Sequence, residues 1–354
     1  MDIDEFRKHG HHLIDWMADY MDTVEKLPVR SQVKPGKIAS LLKEKPPTNG
    51  EPMGNIIDDF KTNILPGVTH WQHPSFFAYF PANSSPPSVL AEMLTATLGA
   101  QCMLWQTSPA ATEMETRMME WLASMINLPQ KFSGVIQDSA SSATLCALLT
   151  AREQATSWKT NKSGFMKVSK KLIVYTSEEA HSSTEKGAKI AGFGRDNIRF
   201  IPTDNKFRMR ASLLRQKIQL DIKKGFVPTC VVASIGTTGV GAVDPIKEIA
   251  AICREFGVFL HIDAAWAGAA MVLPELRPMA DGIELADSIV INPHKWLLTN
   301  FDCSAHFVKD PNALTSTLSI LPEYLKSKES EDIIDYRDWS IPLGRRFRAL
   351  KLWF

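Results

Sequence analysis

No two cysteines in this chain stand at the spacing of a metal site or a redox couple. Cys102, Cys146, Cys230, Cys253 and Cys303 are scattered singly, which argues against a zinc ribbon or CxxC oxidoreductase and for buried small hydrophobes in a reducing compartment. No apolar run reaches bilayer length: the longest weakly polar stretch, around residues 264–273, is too short to span. The amino-terminal "MDIDEFRKHGHH" lacks the apolar core of a signal peptide. Charge of either sign is not in excess. The formal net charge is +1, so no global field draws the chain to nucleic acid or an anionic membrane. The glycines of "TTGVGAVD" give GxxGxG rather than GxGxxG, with no lysine following in P-loop fashion, and read as a turn. The expectation is a cytoplasmic protein with no nucleic-acid partner, no membrane and no metal.

What is present suits a sizeable core. With 354 residues, 44% hydrophobic and 22% charged, the chain has room for one large domain and an accessory piece, or for two domains. Leu13, Met17, Tyr20, Met21 and Val24 recur at helical spacing, flanked by Ile14 and Trp16, and predict an amphipathic helix over residues 2–27. A stretch with Pro28, Pro35, Pro46, Pro47 and Pro52 then extends or turns, before a short helix over 54–64. This region has no obvious core of its own and is expected to pack on the main domain or on a partner subunit. From about residue 86 two strong helices follow, "SVLAEMLTATLGAQCML" and "ATEMETRMMEWLASMINL", the second with Thr112 as N-cap and Glu113 and Glu115 in its first turn. Then "GVIQ", "KLIVYT", "IRFIP", "CVVASIG", "VFLHID" and "SIVIN" alternate with helices over 143–156, 184–192, 211–223 and 245–256. Near-continuous apolar strands alternating with helices predict an α/β fold with a mostly parallel sheet covered on both faces.

Ligands in such sheets bind beyond the carboxyl ends of the strands, so the residues after each strand matter most. "GVIQ" is followed by "DSASSATLCALL", small hydroxyl residues opening a helix, which serve as an ordinary N-cap or as a phosphate cradle. His181 follows "KLIVYT", in a position where a lone histidine is more often structural than catalytic. His261 and Asp263 alternate along one strand and so share a side; a metal pair is conceivable there, but no third ligand has suitable spacing. Asp263, beside alanines and a tryptophan, needs a positive partner. Lys295 ends the series, in "SIVINPHKWLLTNFDCS", among apolar neighbours. Alone it could be a lysine with a buried stem and a solvated head. Together, a phosphate cradle, an imidazole, an aspartate and a lysine are the set that pyridoxal 5′-phosphate (PLP) needs.

The chain resembles the group II PLP-dependent decarboxylases, most closely the aromatic-L-amino-acid decarboxylases. The resemblance rests on "HPSFFAYFPANSS", "TSPAATEMETRMMEWL", "GVIQDSASSATL", "EEAHSSTEKG", "HIDAAWAG", "NPHKWLLTNFDCS" and "DYRDWSIPLGRRFRALKLWF", seven motifs in matching order. It implies the type I PLP-dependent (aspartate-aminotransferase-like) fold and a homodimer with active sites near the subunit interface. By motif, Lys295 matches the Schiff-base lysine, Asp263 the acid on the pyridine nitrogen and His181 the imidazole stacked on the cofactor ring. Ala140 and Ser141 match the phosphate-binding turn, Asn292 and His294 polar groups near the phosphate, and Thr238 another cofactor contact. Tyr324 matches the tyrosine of a mobile catalytic loop and would protonate Cα. The domains this implies are an N-terminal helical segment over 1–85 packing across a dimer and a large PLP-binding domain over 86–354. The expectation is that the family's C-terminal small domain is missing here, the chain being a fragment or a truncated product.

The implied reaction is decarboxylation of an aromatic L-amino acid to the amine and CO₂. In related aldehyde synthases the matching histidine or tyrosine is typically replaced, and this chain has both His181 and Tyr324. The alternatives are a relative acting on histidine or glutamate, an aldehyde synthase, or an inactive truncated dimerisation protein. Trp71, Tyr79, Phe80 and Pro81 match an aromatic substrate wall. Ala82 stands where animal enzymes carry threonine, and Gln101 and Met103 where they carry apolar and aromatic residues. Gly344 matches a position where, in plant relatives, glycine goes with indole substrates. The closing "GRRFRALKLWF" reads as a helix without a C-cap, expected to expose Leu350, Leu352, Trp353 and Phe354 if the chain is the whole protein.

Overall fold

The computed structural model describes residues 1–82, 84–320 and 333–354. The chain falls into two units, Met1–Ala82 and Asn83–Phe354.

The first unit opens on a helix, Ile3–Thr23, started by a capping box in which Asp2 accepts from the Glu5 N–H and Glu5 from the Asp2 N–H. Leu13, Trp16, Met17 and Tyr20 form its half-buried stripe. A single 3₁₀ turn, Val24–Lys26, ends it before Pro28, short of the expected residue 27. The second helix, Met53–Asp59, continues as a π turn over Phe60–Ile64, and Trp16 meets Phe60 edge-on at 5.3 Å. Of this unit's apolar side chains only Val24 and Ile57 are buried, in keeping with a segment that has little core of its own.

Among the described residues the second unit is built on seven strands: β1 Ser133–Gln137, β2 Leu172–Ser177, β3 Ile198–Ile201, β4 Val227–Ser234, β5 Phe259–Asp263, β6 Ser288–Ile291 and β7 Ser304–Val308. Their order is β1-β7-β6-β5-β4-β2-β3. β7 runs antiparallel to both neighbours and every other pairing is parallel. Six strands therefore point one way, and their carboxyl ends (Gln137, Ser177, Ile201, Ser234, Asp263 and Ile291) lie along one edge. β7 is the strand missing from the sequence-based expectation. Ser304 and His306 break its apolar run, and its place between β1 and β6 is set by long-range pairing.

Strand alternation sorts the core onto two faces. Ile173, Tyr175, Val231, Ala233, Leu260 and Ile262 pack with Leu214, Ile218, Ile249 and Ile252 of the helices Ala211–Lys223 and Ile246–Phe256. The intervening Leu172, Val174, Cys230 and Val232 pack with Leu148 and Ala151 of the helix Ala140–Thr156 and with Ala188 of Ser182–Ile190. These strands are apolar at consecutive positions because both faces are covered. All five cysteines are buried and free.

Two expectations need correction. The helix Pro109–Met125 begins four residues earlier than a Thr112 cap would allow, with Ser108 as N-cap. Proline at its first position has φ already set for a helix, and Thr112 is buried within it. The closing helix is Arg348–Trp353, and Leu350 is buried rather than exposed while Leu352 packs partly against the core; only Trp353 and Phe354 remain exposed. The cause is ionic as well as apolar: Arg345 pairs with Glu115, Arg348 with Asp302, and the buried Lys351 with Glu92 at 2.8 Å. Among the described residues no helix is long and apolar enough to cross a membrane.

Candidate active site

At the end of β1, Ser139 caps the helix Ala140–Thr156 by accepting from the Ser142 N–H at 3.2 Å. Ala140 and Ser141 are the first two residues of that helix, so their N–H groups precede any partner within it. Such a terminus favours an anion. After β2, His181 caps the next helix. Its Nδ1 lies 2.7 Å from the Ser183 hydroxyl and accepts from the Ser183 N–H, which fixes the ring while leaving the residue exposed.

After β4 the chain turns sharply at Gly236, whose φ is +84°; a Cβ there would lie 2.5 Å from that of Ala267 and 2.9 Å from the Trp266 ring. Only glycine allows this approach. Buried Asp244 holds the turn by accepting from the N–H groups of Ser234 and Met209 at 2.8 and 2.7 Å. Thr237 accepts from the Ala242 N–H at 3.0 Å, and Thr238 follows it exposed.

Asp263 closes β5. It is buried to 9% exposure and accepts from the Ala265 N–H at 3.1 Å. After β6 come Asn292, which accepts from the Ser304 hydroxyl at 2.7 Å, then a single helical turn, Pro293–Trp296, carrying His294 and Lys295. Burial holds the Lys295 ammonium below the usual lysine range, and the charge of Asp263 works in the opposite direction. The result is an amine with an enlarged neutral, nucleophilic fraction beside a carboxylate. His294 is likewise pushed down to about 4, by burial first and then by Lys295. Its Nδ1 accepts from the Cys303 N–H at 2.9 Å, so the neutral ring carries its proton on Nε2.

His261, which alternates with Asp263 on β5, has both ring nitrogens against hydroxyls of the core. Its nitrogens lie 3.1 Å from the Thr144 hydroxyl and 2.7 Å from the Ser288 hydroxyl. Among the described residues no group of three His, Cys, Asp or Glu is placed to hold a metal.

The expected substrate residues fall in both units. In the first, Trp71 stacks with Tyr79 at 5.7 Å and meets Phe80 at 5.3 Å and Phe76 at 4.8 Å; Pro81 and Ala82 follow directly, and the Ala82 carbonyl accepts from Gln72. In the second, Gln101 Oε1 accepts from the Arg345 N–H at 3.3 Å and the Met103 carbonyl from the Arg337 N–H at 3.0 Å. Tyr324 lies outside the described residues.

The pyridoxal-dependent decarboxylase conserved domain matches residues 35–354. The chain belongs to that family. It is a carboxy-lyase of type I fold that depends on PLP. Over its whole length it is 46% identical to phenylacetaldehyde synthase of Arabidopsis thaliana, spanning 73% of that protein. It is also 46% identical to aromatic-L-amino-acid decarboxylase of Mus musculus, spanning 76%. A crystal structure of Oryza sativa TDC with PLP and tryptamine superposes with a TM-score of 0.94 at 38% identity, over all of this chain and 74% of that one. The residues present fit the cofactor. A buried carboxylate with one backbone hydrogen bond, a lysine depressed by burial and a helix start with unpartnered N–H groups supply the donor and acceptor types of a pyridinium, an aldehyde carbon and a phosphate.

Three buried histidines make acid destabilising for this decarboxylase. His261 is held well below its ordinary value, His294 at about 4 and His306 at about 3, each first by burial. Depressed in the folded state, they contribute stability that is fully present above the unfolded value near 6.5 and lost as pH falls towards their folded values. Asp244, raised to about 6 by burial, acts in the opposite sense and offsets part of the loss. Urea unfolding of the PLP-free chain at pH 7 and pH 4 should show a loss of roughly 3 kcal/mol from His306 alone. His306→Leu should flatten that acid limb; an unchanged slope would refute the assignment.

Proposed function

We propose that the chain decarboxylates an aromatic L-amino acid to its amine and CO₂, as a cytoplasmic homodimer. The observation that carries this reading is the pairing of a depressed Lys295 with buried Asp263 at neighbouring strand ends. PLP, when bound, supplies an electron sink for the pair of electrons left as CO₂ departs. Lys295 would be the residue that bonds the cofactor's aldehyde carbon. The Asp263 carboxylate would keep a proton on the ring nitrogen, since a nearby anion favours the cationic form. Ala140, Ser141, Asn292, His294 and Thr238 hold the cofactor. His181, its ring fixed by Ser183, orients the reacting groups, and Tyr324 returns a proton to Cα. Residues 1–85 pack across the dimer, and residues 86–354 form the PLP-binding domain.

Trp71, Tyr79, Phe80 and Pro81 support an aromatic substrate. Ala82, Gln101 and Met103 tune which ring is accepted. A Cβ at Gly344 would lie 3.6 Å from Gln101 Oε1, so the two positions share one space, and glycine leaves it open for an indole.

Equal identity to an aldehyde synthase and to a decarboxylase keeps a second reading, oxidative deamination to an aldehyde. The presence of both His181 and Tyr324 favours the amine. The chain with PLP, given tryptophan, tyrosine, phenylalanine, histidine and glutamate, should release amine and CO₂ in equal amounts from an aromatic substrate. Aldehyde with peroxide would replace this reading by the synthase, and dimer formation without PLP binding or turnover would reduce the chain to a scaffold.

A further inference from the structure

We propose that Arg348, acting through Asp302, is a positioning residue for Lys295. The inference rests on the reading of Lys295 as the lysine that bonds PLP.

After Lys295 the chain makes a loop that returns to the residues just before it. The His294 N–H donates to the Cys303 carbonyl at 3.3 Å and the Cys303 N–H to His294 Nδ1 at 2.9 Å, while Ser304 bonds Asn292. Between these ends, residues 297–303 form no helix or strand, and Leu298 and Phe301 are exposed. Leu297 and Cys303 anchor the loop on the core and Phe301 lies 4.7 Å from the His294 ring, and polar clamps from outside hold the stretch between those anchors. At the start of the helix Pro86–Leu98, Ser85 donates to the Leu298 carbonyl at 2.7 Å, and Ser88 exchanges hydrogen bonds with the N–H and side chain of Asn300. At the other end, Arg348 Nε and Nη2 grip the two oxygens of Asp302 at 3.1 and 3.0 Å.

The Arg348 clamp has the stronger geometry. Its two parallel bonds to one carboxylate fix direction as well as distance, and both side chains are largely shielded. Burial works to raise the Asp302 carboxyl, yet Arg348 holds it below the ordinary range. Asp302 immediately precedes Cys303, whose N–H orients His294, the residue before Lys295. Releasing Arg348 thus frees the loop that fixes the lysine's own helical turn. A displacement of about 1 Å at a reacting group costs about 10²-fold. Lysine at position 348 would keep the charge without the fork.

The test uses the full chain and free PLP. The rate at which PLP gains its visible absorbance on bonding to the protein is followed for Arg348→Lys, Arg348→Met, Asp302→Asn and Ser88→Ala. The pH midpoint of that absorbance and the melting temperature of the PLP-free chain are read alongside. Arg348→Lys and Asp302→Asn should capture PLP about 10–100-fold more slowly and shift the pH midpoint. Ser88→Ala should do the same more weakly. Folded Arg348→Lys and Asp302→Asn that capture PLP at the parent rate with the same midpoint would overturn the proposal, whatever happens to melting. Capture that survives Lys295→Ala would overturn the assignment of the lysine itself, and the clamp's purpose with it.

Discussion

Lys295→Ala should abolish both the visible absorbance of the PLP-loaded chain and all amine production above background. No other side chain in the turn after β6 offers an amine, and burial lowers the cost of making this one neutral. Asp263→Asn separates the two halves of the site. It leaves the lysine in place, so the absorbance should form, but under the proposed role the ring nitrogen would lose the carboxylate that keeps its proton. Turnover should then fall about 10²–10³-fold, the scale on which removing a preorganised electrostatic partner acts. Spectra and amine yield measured on the same samples decide the matter. Full turnover in Asp263→Asn would remove that residue from the mechanism.

Arg345→Met should be the most damaging change away from the strand ends. Arg345 and Glu115 are each 3% exposed, and their bond is 2.5 Å. Arg345 also donates to the Ser340 hydroxyl and the Ile136 carbonyl at 3.0 and 3.1 Å, and its guanidinium lies 5.3 Å from the Tyr336 ring centre. Glu115 in turn accepts from the Ile136 N–H at 2.8 Å, so one ion pair joins the helix Pro109–Met125, strand β1 and the closing segment. Methionine would fill much of the space but leave the carboxylate buried without its cation, a loss of about 3–5 kcal/mol. Denaturant unfolding of the variant against Arg345→Met/Glu115→Gln tests the cause. The double variant should recover a large part of the loss, because it removes the stranded charge; equal instability of both would point to packing instead.

Periodicity and strand-end chemistry carried much of the outline. The helix Ala211–Lys223 lies where its spacing placed it, and six strands were legible because runs such as "LIVY" put apolar residues on both faces. Lys295, Asp263, His181 and the serine-rich turn could each be found as residues following a strand. What was not legible depends on partners far along the chain. Nothing near His306 announces a strand wedged antiparallel between β1 and β6. Nothing near Leu350 shows that ion pairs to Glu92 and Asp302 hold its helix down. His261 looked able to ligate, and only its contacts with Thr144 and Ser288 assign it to the core.

From the sequence alone came the class of chemistry, since a lysine, an acid, an imidazole and a phosphate turn after successive apolar strands form a local, ordered signal. The tertiary structure decided how tightly that lysine is held. The groups that fasten its loop, Ser85, Ser88 and Arg348, stand about 200 residues before it and about 50 after it. Hydrogen bonds over such separations leave no periodic trace in a sequence, because they depend on where the fold brings distant ends together.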